Sequence, residues 1–237
     1  MDETGLHGAS VDRTRPLREQ VYAILRGLIL TGQAGPGTAL DERAIAGELG
    51  ISRTPVREAV KKLGDEGLVE IRAQSGTTVS PLRRGQIEEA HVIRRALEVE
   101  SAGRAAERVT KADLHRLEDL LLLHSAALER RRYADAIALD DAFHRAICEI
   151  CGFPALWRAV EISKAPLDRC RHAMIPRVGA GRTTLAEHRR ILDALARRDP
   201  EAARQTMRDH LDGAVRKTLA NLDAILGEPG EGKTNTE

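Results

Sequence analysis

The sequence predicts a mainly α protein of two parts, with one small β-hairpin closing the N-terminal part. Three observations carry this expectation. Apolar residues make up 42% of the 237-residue chain but aromatics only 2%, so any core is Leu, Ile, Val and Ala, and the abundant Ala, Leu, Arg and Glu favour helix. Apolar positions recur at helical spacing over most of the chain. Two β-prone runs, Leu68 to Arg72 and Thr77 to Ser80, flank a turn ending in glycine.

Residues 1–15 lack apolar periodicity and read as a flexible arm. From Pro16 a helix is expected, with Leu17, Val21, Ile24, Leu25, Leu28 and Ile29 on one face, stopping near Thr31-Gly32. Asp41 is placed to cap a second helix through Ile45 and Leu49, ending at Gly50. Ser52 is placed to cap a third, with Pro55 in its first turn and Val56, Val60 and Leu63 facing inward. Three helices followed by a hairpin are the order of a winged helix-turn-helix, assigned to residues 16–81. Residues 82–85 read as a linker. Six amphipathic segments follow, at 86–108, 111–130, 134–151, 154–174, 182–198 and 200–225, making an all-helical domain over 86–225. Breaks are expected at Thr110, Arg132, Gly152 to Pro154, Pro176 to Gly181, and Asp199-Pro200. The Gly-, Glu- and Thr-rich end, 226–237, reads as a disordered tail.

Several classes are excluded. No stretch approaches the ~18 apolar residues of a membrane span. Met1 to Val11 has no apolar signal core, and three cysteines do not make a disulfide framework, so a cytoplasmic protein is expected. Net charge is +1, but residues 11–85 hold 12 Lys/Arg against 9 Asp/Glu, while 86–237 balance at 25 of each. So small an excess says little about nucleic acid; what matters is where the arginines sit.

The third predicted helix opens with Ser52, Arg53, Thr54 and Arg57. A recognition helix must present donors near its N-terminus, where it meets base edges and phosphates. Arg53 and Arg57, four apart, share one face, and a guanidinium can pair bidentately with a guanine edge. An isolated Arg-x-x-x-Arg is more often an ordinary salt-bridged surface. Here the wider segment from Asp41-Glu42-Arg43 through Leu49-Gly50-Ile51-Ser52-Arg53-Thr54-Pro55-Val56-Arg57-Glu58-Ala59-Val60 to Leu63, with Glu66-Gly67-Leu68-Val69 and Gly76-Thr77-Thr78-Val79, resembles the GntR family of transcription regulators. The resemblance covers about residues 16–81. It implies double-stranded DNA as partner, contacts at Arg43, Ser52, Arg53, Thr54, Arg57 and wing residue Gly76, and a homodimer on a short palindromic operator. Gln74-Ser75 departs from the basic or aromatic residues frequent at the family's wing tip.

In the C-terminal part, three predicted helices each aim metal-capable groups toward apolar neighbours: Asp140 with His144, then His188, then His210. A buried unpaired carboxylate is costly, and three imidazoles with one carboxylate around a divalent cation satisfy one another. A single inward histidine is more often hydrogen-bonded core. The runs Asp140 to Ile147, Glu187 to Leu195 and Met207 to Leu211 resemble the FCD sensor domain of the FadR subfamily, over about residues 86–222. This resemblance implies metal ligands at Asp140, His144, His188 and His210. It further implies, through Ile93-Arg94-Arg95-Ala96-Leu97-Glu98, that Arg94 meets a small carboxylate effector. Zinc or nickel suits so imidazole-rich a set, with manganese or iron as alternatives.

Cys148 and Cys151 have knuckle spacing but lie within one helix, and read as core. His91, His115 and His124 read as surface, and His172 as a neighbour of the Pro176 loop. The sequence therefore points to a ligand-responsive regulator, read as a repressor and not an enzyme. A metal-dependent enzyme using the same His/Asp set is the alternative; it lacks an obvious general base, since Glu187 lies about a hundred degrees off the face of His188.

Overall fold

Gly32 takes the left-handed conformation at φ 78 and donates its N–H to the Ile29 carbonyl, ending α1 (Leu17–Thr31) where the sequence expects. This is the first helix of a computed structural model that describes residues 6, 8–72, 76–178 and 181–222. Its apolar face buries Val21, Leu25 and Ile29, with Ile24 and Leu28 half-buried. Helix α2 (Glu42–Glu48) begins where the Asp41 carboxylate accepts from the backbone N–H groups of Arg43 and Ala44. A turn through Gly50, at φ 62, leads into α3 (Arg53–Asp65), which packs against α1 through Val56, Ala59, Val60 and Leu63.

The hairpin pairs β1 (Val69–Arg72) with β2 (Gly76–Val79), antiparallel, with Val69 opposite Val79 and Arg72 opposite Gly76. An isolated bridge joins Ala39 to Thr78, so the approach to α2 supplies a short third edge that the sequence did not reveal. The predicted wing-tip departure, Gln74-Ser75, lies outside the described residues. So does the expected tail.

The segment read as a flexible arm makes specific contacts. Leu6 is buried, Asp12 and Gln20 exchange hydrogen bonds, and an Arg13 guanidinium donates to the Gly50 carbonyl at 2.8 Å. Local periodicity is blind to these polar ties.

The chain divides into two units between Arg83 and Arg84. The second unit is helical throughout its described residues: α4 (Arg84–Arg108), α5 (Lys111–Glu129), α6 (Tyr133–Ile150), α7 (Pro154–Ser163), α8 (Ala165–Val178), α9 (Gly181–Ala196) and α10 (Pro200–Ala220). Thr110 and Asp113 form a capping box that starts α5, and the Asp199 carboxylate accepts from Ala202 N–H to start α10. Helix α4 lies along α10, α5 along α6 and α9. Their shared core includes Phe143, Ile147, Leu117, Leu121, Ile191, Leu195, Met207 and Leu211.

Two boundaries differ from expectation. The single segment expected at 154–174 is two helices, interrupted at Lys164, and Pro166 in the first turn of α8 suits a helix start better than an interior. The break expected at Pro176 is instead the last turn of α8, which continues to Val178. Among the described residues no helix is long and apolar enough to cross a membrane.

Candidate functional site

In the first unit, Arg43, Ser52, Arg53, Thr54 and Arg57 are all exposed, as is Gly76 at the start of β2 with φ 82. They lie on α2, the front of α3 and the wing. Ser52 occupies the N-cap position of α3 in extended conformation, yet its side chain makes no capping hydrogen bond, contrary to its expected role. Pro55 has no N–H, so the first turn of α3 presents few but open donors, with the positive end of the helix dipole behind them. Arg53 and Arg57 both face one carboxylate oxygen of Glu42, at 3.6 and 3.5 Å. These are loose, solvent-screened pairs that set the direction of the guanidinium groups more than they stabilise the fold.

In the second unit, the predicted ligands come from α6, α9 and α10 and meet in the interior. His144, His188 and His210 are buried, and one ring nitrogen from each lies within 4.8 Å of the others. Their rings contact one another, and Phe143 stacks on His188 at 4.5 Å. Asp140 approaches His144 Nε2 at 3.9 Å and His188 Nε2 at 3.6 Å.

The outward ring nitrogens are held by acids that sequence reasoning left unassigned. Glu98 Oε2 of α4 sits 2.5 Å from His144 Nδ1, close to the ring though poorly aligned for a hydrogen bond. Glu187 Oε2 lies 2.8 Å from His210 Nδ1. Both acids therefore direct an Nε2 toward the centre, the usual task of a carboxylate behind a metal-bound imidazole. His144 Nε2 is buried and makes no hydrogen bond, as a nitrogen reserved for an ion would. Burial, then the neighbouring His210, holds His188 well below its ordinary value; burial also lowers His210 against the pull of Glu187. Neutral imidazoles are the form that binds metal. The donor set fits a divalent ion.

Beside this centre lies a cavity of about 90 Å³, lined among others by Arg94, His124, Asp140, Arg171, His210 and Lys217. Arg94 is buried and donates to Glu98 at 2.6 Å, whereas the adjacent Arg95 is exposed and pairs with Asp212. Arg171, which the sequence did not single out, donates to Asp140 at 2.6 Å and to Asp141 at 2.9 Å. Burial opposes the charge on Asp140, yet Arg171 and the surrounding imidazoles hold its carboxyl well below the ordinary range. Lys164 is buried between Asp141 and Asp168 and anchors the same network.

One surface expectation is overturned. His124 is buried, its ring 6.0 Å from that of His188. Its charged neighbours in sequence lie on other faces of α5, while Leu117 and Leu121, seven and three residues earlier, share its own. That spacing was the available signal. Exposed His115 matches its reading; His91 and His172 are half-buried. Cys148 and Cys151 are buried at the end of α6 as core, and burial pushes the Cys148 thiol up to about 12.

A helix-turn-helix with a wing, followed by a separate helical domain, is the construction of a transcription regulator. Residues 17–79 match the family described as bacterial regulatory proteins, gntR family, and residues 89–213 match the FCD domain. The chain belongs to the gntR family of bacterial regulatory proteins and carries an FCD domain. It is 36% identical to the HTH-type transcriptional repressor RspR of Escherichia coli K12, over 84% of this chain and 87% of that one. It is 30% identical to the Uxu operon transcriptional regulator of the same organism, over 89% and 90%. Among solved structures it resembles Escherichia coli McbR/YncC, at TM-score 0.76 and 25% identity over 87% and 98% of the two chains. RspR and the Uxu operon protein are transcription regulators. The protein is a DNA-binding transcription regulator, and the enzyme alternative falls.

Proposed function

We propose that the protein is a homodimeric repressor of a short palindromic operator, released or locked by a small organic acid that binds beside a divalent metal ion. The observation that carries this reading is the convergence of His144, His188 and His210 next to a cavity lined by Arg94. Asp140, His144, His188 and His210 hold the ion; zinc or nickel suits them, and manganese or iron are alternatives. The ion supplies a positive centre for a carboxylate, and Arg94 pairs with the acid by a forked hydrogen bond once it exchanges Glu98 for the ligand. Repression is taken over from the similar protein RspR, a transcriptional repressor. On the DNA, Arg53 and Arg57 read base edges, Arg43, Ser52 and Thr54 meet phosphates, and Gly76 lets the wing backbone approach closely.

The acid acts by population shift, so its effect is limited to its difference in affinity between the two states of the dimer. The test uses the full-length protein stripped with a chelator and reloaded with Zn²⁺ or Ni²⁺. A panel of sugar acids and dicarboxylates is screened by thermal shift, and positive acids are titrated calorimetrically with and without metal. The expected result is binding that requires both the metal and Arg94 and that changes affinity for a duplex selected from random sequence. Acid binding unchanged by metal removal sinks the metal-assisted reading.

A further inference from the structure

We propose that His124 is a metal ligand, giving this site a fourth imidazole beyond the three of α6, α9 and α10. The proposal rests on the metal-site reading above and extends it. His124, Asp140 and His188 form a second set whose ligand atoms all lie within 4.8 Å of one another. Donors sharing one ion at about 2.1 Å lie roughly 3.0–3.6 Å apart, so the set closes on an ion with side-chain shifts of up to about an ångström. It shares His188 with the three-imidazole set and brings in the Asp140 carboxylate.

Independent of that geometry, His124 lacks the partner that a structural histidine would have. It is 4% exposed, and its Nδ1 is buried with no hydrogen bond. Leaving such a nitrogen unmatched costs about 1–3 kcal/mol, which an apolar side chain of similar size avoids. The residue nevertheless sits on the apolar face of α5, behind Leu117 and Leu121, and lines the same cavity as Asp140 and His210. A bound ion would satisfy it.

Arg171 gives the two sets their relation. Its guanidinium draws the Asp140 carboxylate at 2.6 Å, and Asp140 groups by proximity with His124 and His188 but not with His210. His144, His188 and His210 would hold an ion together with Asp140, and His124 would join from the side already nearest that carboxylate. The protein then offers five donors, four nitrogens and one carboxylate, and His124 occupies a position that an effector carboxylate must share or displace.

X-ray absorption at the metal edge of the full-length protein loaded with Ni²⁺, and separately with Zn²⁺, counts the imidazoles directly and needs no variant. The expected count is four in the wild type and three in His124→Leu or His124→Gln. A Co²⁺-loaded sample of each should also change its visible spectrum, and Ni²⁺ affinity should fall by at least about tenfold. Circular dichroism of the metal-free variants checks the fold, and the wild-type count stands even if both variants unfold. A count of three in the wild type overturns the proposal while leaving the His144–His188–His210 centre standing. A wild type that takes up no metal overturns both.

Discussion

Glu98 is bound on two sides, to the Arg94 guanidinium and to the His144 ring, and is 1% exposed. Burial alone would raise its carboxyl, but Arg94 and then His144 hold it far below the ordinary range. Removing one partner of a buried pair strands the other charge, so Glu98→Ala should lose about 3–5 kcal/mol in urea unfolding of the metal-free protein. Glu98→Gln keeps the shape and a hydrogen-bond acceptor and should lose less. Phe143, fully buried and stacked on His188, predicts a second loss: Phe143→Ala should cost about 3–5 kcal/mol in the same assay and loosen metal binding as the ring beneath His188 goes. The buried convergence of Asp140, His144, His188 and His210, and the buried Arg94, were legible in the sequence because inward helical spacing and a family resemblance coincide on them. Glu98, Glu187 and Arg171 were not. Each acts across helices, and nothing in the local pattern of α4, α8 or α9 names a partner 23 to 46 residues away. His124 was readable from its spacing behind Leu117 and Leu121, but its charged neighbours in sequence outweighed it.

Single helices carry their own predictions. Asp41 accepts two backbone hydrogen bonds at the start of α2, so Asp41→Ala should lower stability by about 1 kcal/mol. Thr110 in its capping box should behave alike at α5. Ser52, at the equivalent position of α3, makes no cap bond, so Ser52→Ala should leave the thermal midpoint nearly unchanged and weaken DNA binding instead. Equal destabilisation by Ser52→Ala would show that the hydroxyl caps α3 after all. Chain order, periodicity and breaker residues revealed the helices and the hairpin, since those signals are local. The Lys164 interruption and the run of α8 through Pro176 escaped because a proline's effect depends on its position in the turn, which a stripe of apolar residues does not report.

For the protein as a whole, pH and salt separate the two activities. His124, His188 and His210 all lie below their ordinary 6.5, chiefly through burial. Below pH 6.5 the unfolded chain therefore binds protons that the folded, metal-free chain refuses. Their contribution to stability is complete above 6.5 and is lost as pH falls, at up to about 1.4 kcal/mol per pH unit for each such group. Thermal melts in chelator between pH 8 and 5 should show the midpoint falling on the acid side, and loaded metal should protect until protons compete for the ligands. A midpoint flat from 8 to 5 contradicts the buried neutral imidazoles. DNA binding should instead respond to salt. Arg57→Ala should sharply reduce affinity for a selected duplex in gel shift and leave metal content intact; a variant that binds normally would show that α3 does not read the groove.

Helix α4 begins with Arg84, the first residue past the division of the chain, and carries Arg94 and Glu98 within its next four turns. It is an unbroken rod of 25 residues. Trading Glu98 for an incoming acid at Arg94 would load that rod near its middle. Any torque about its axis would be felt at Arg84, where the rod gives way to the short non-helical stretch 80–83.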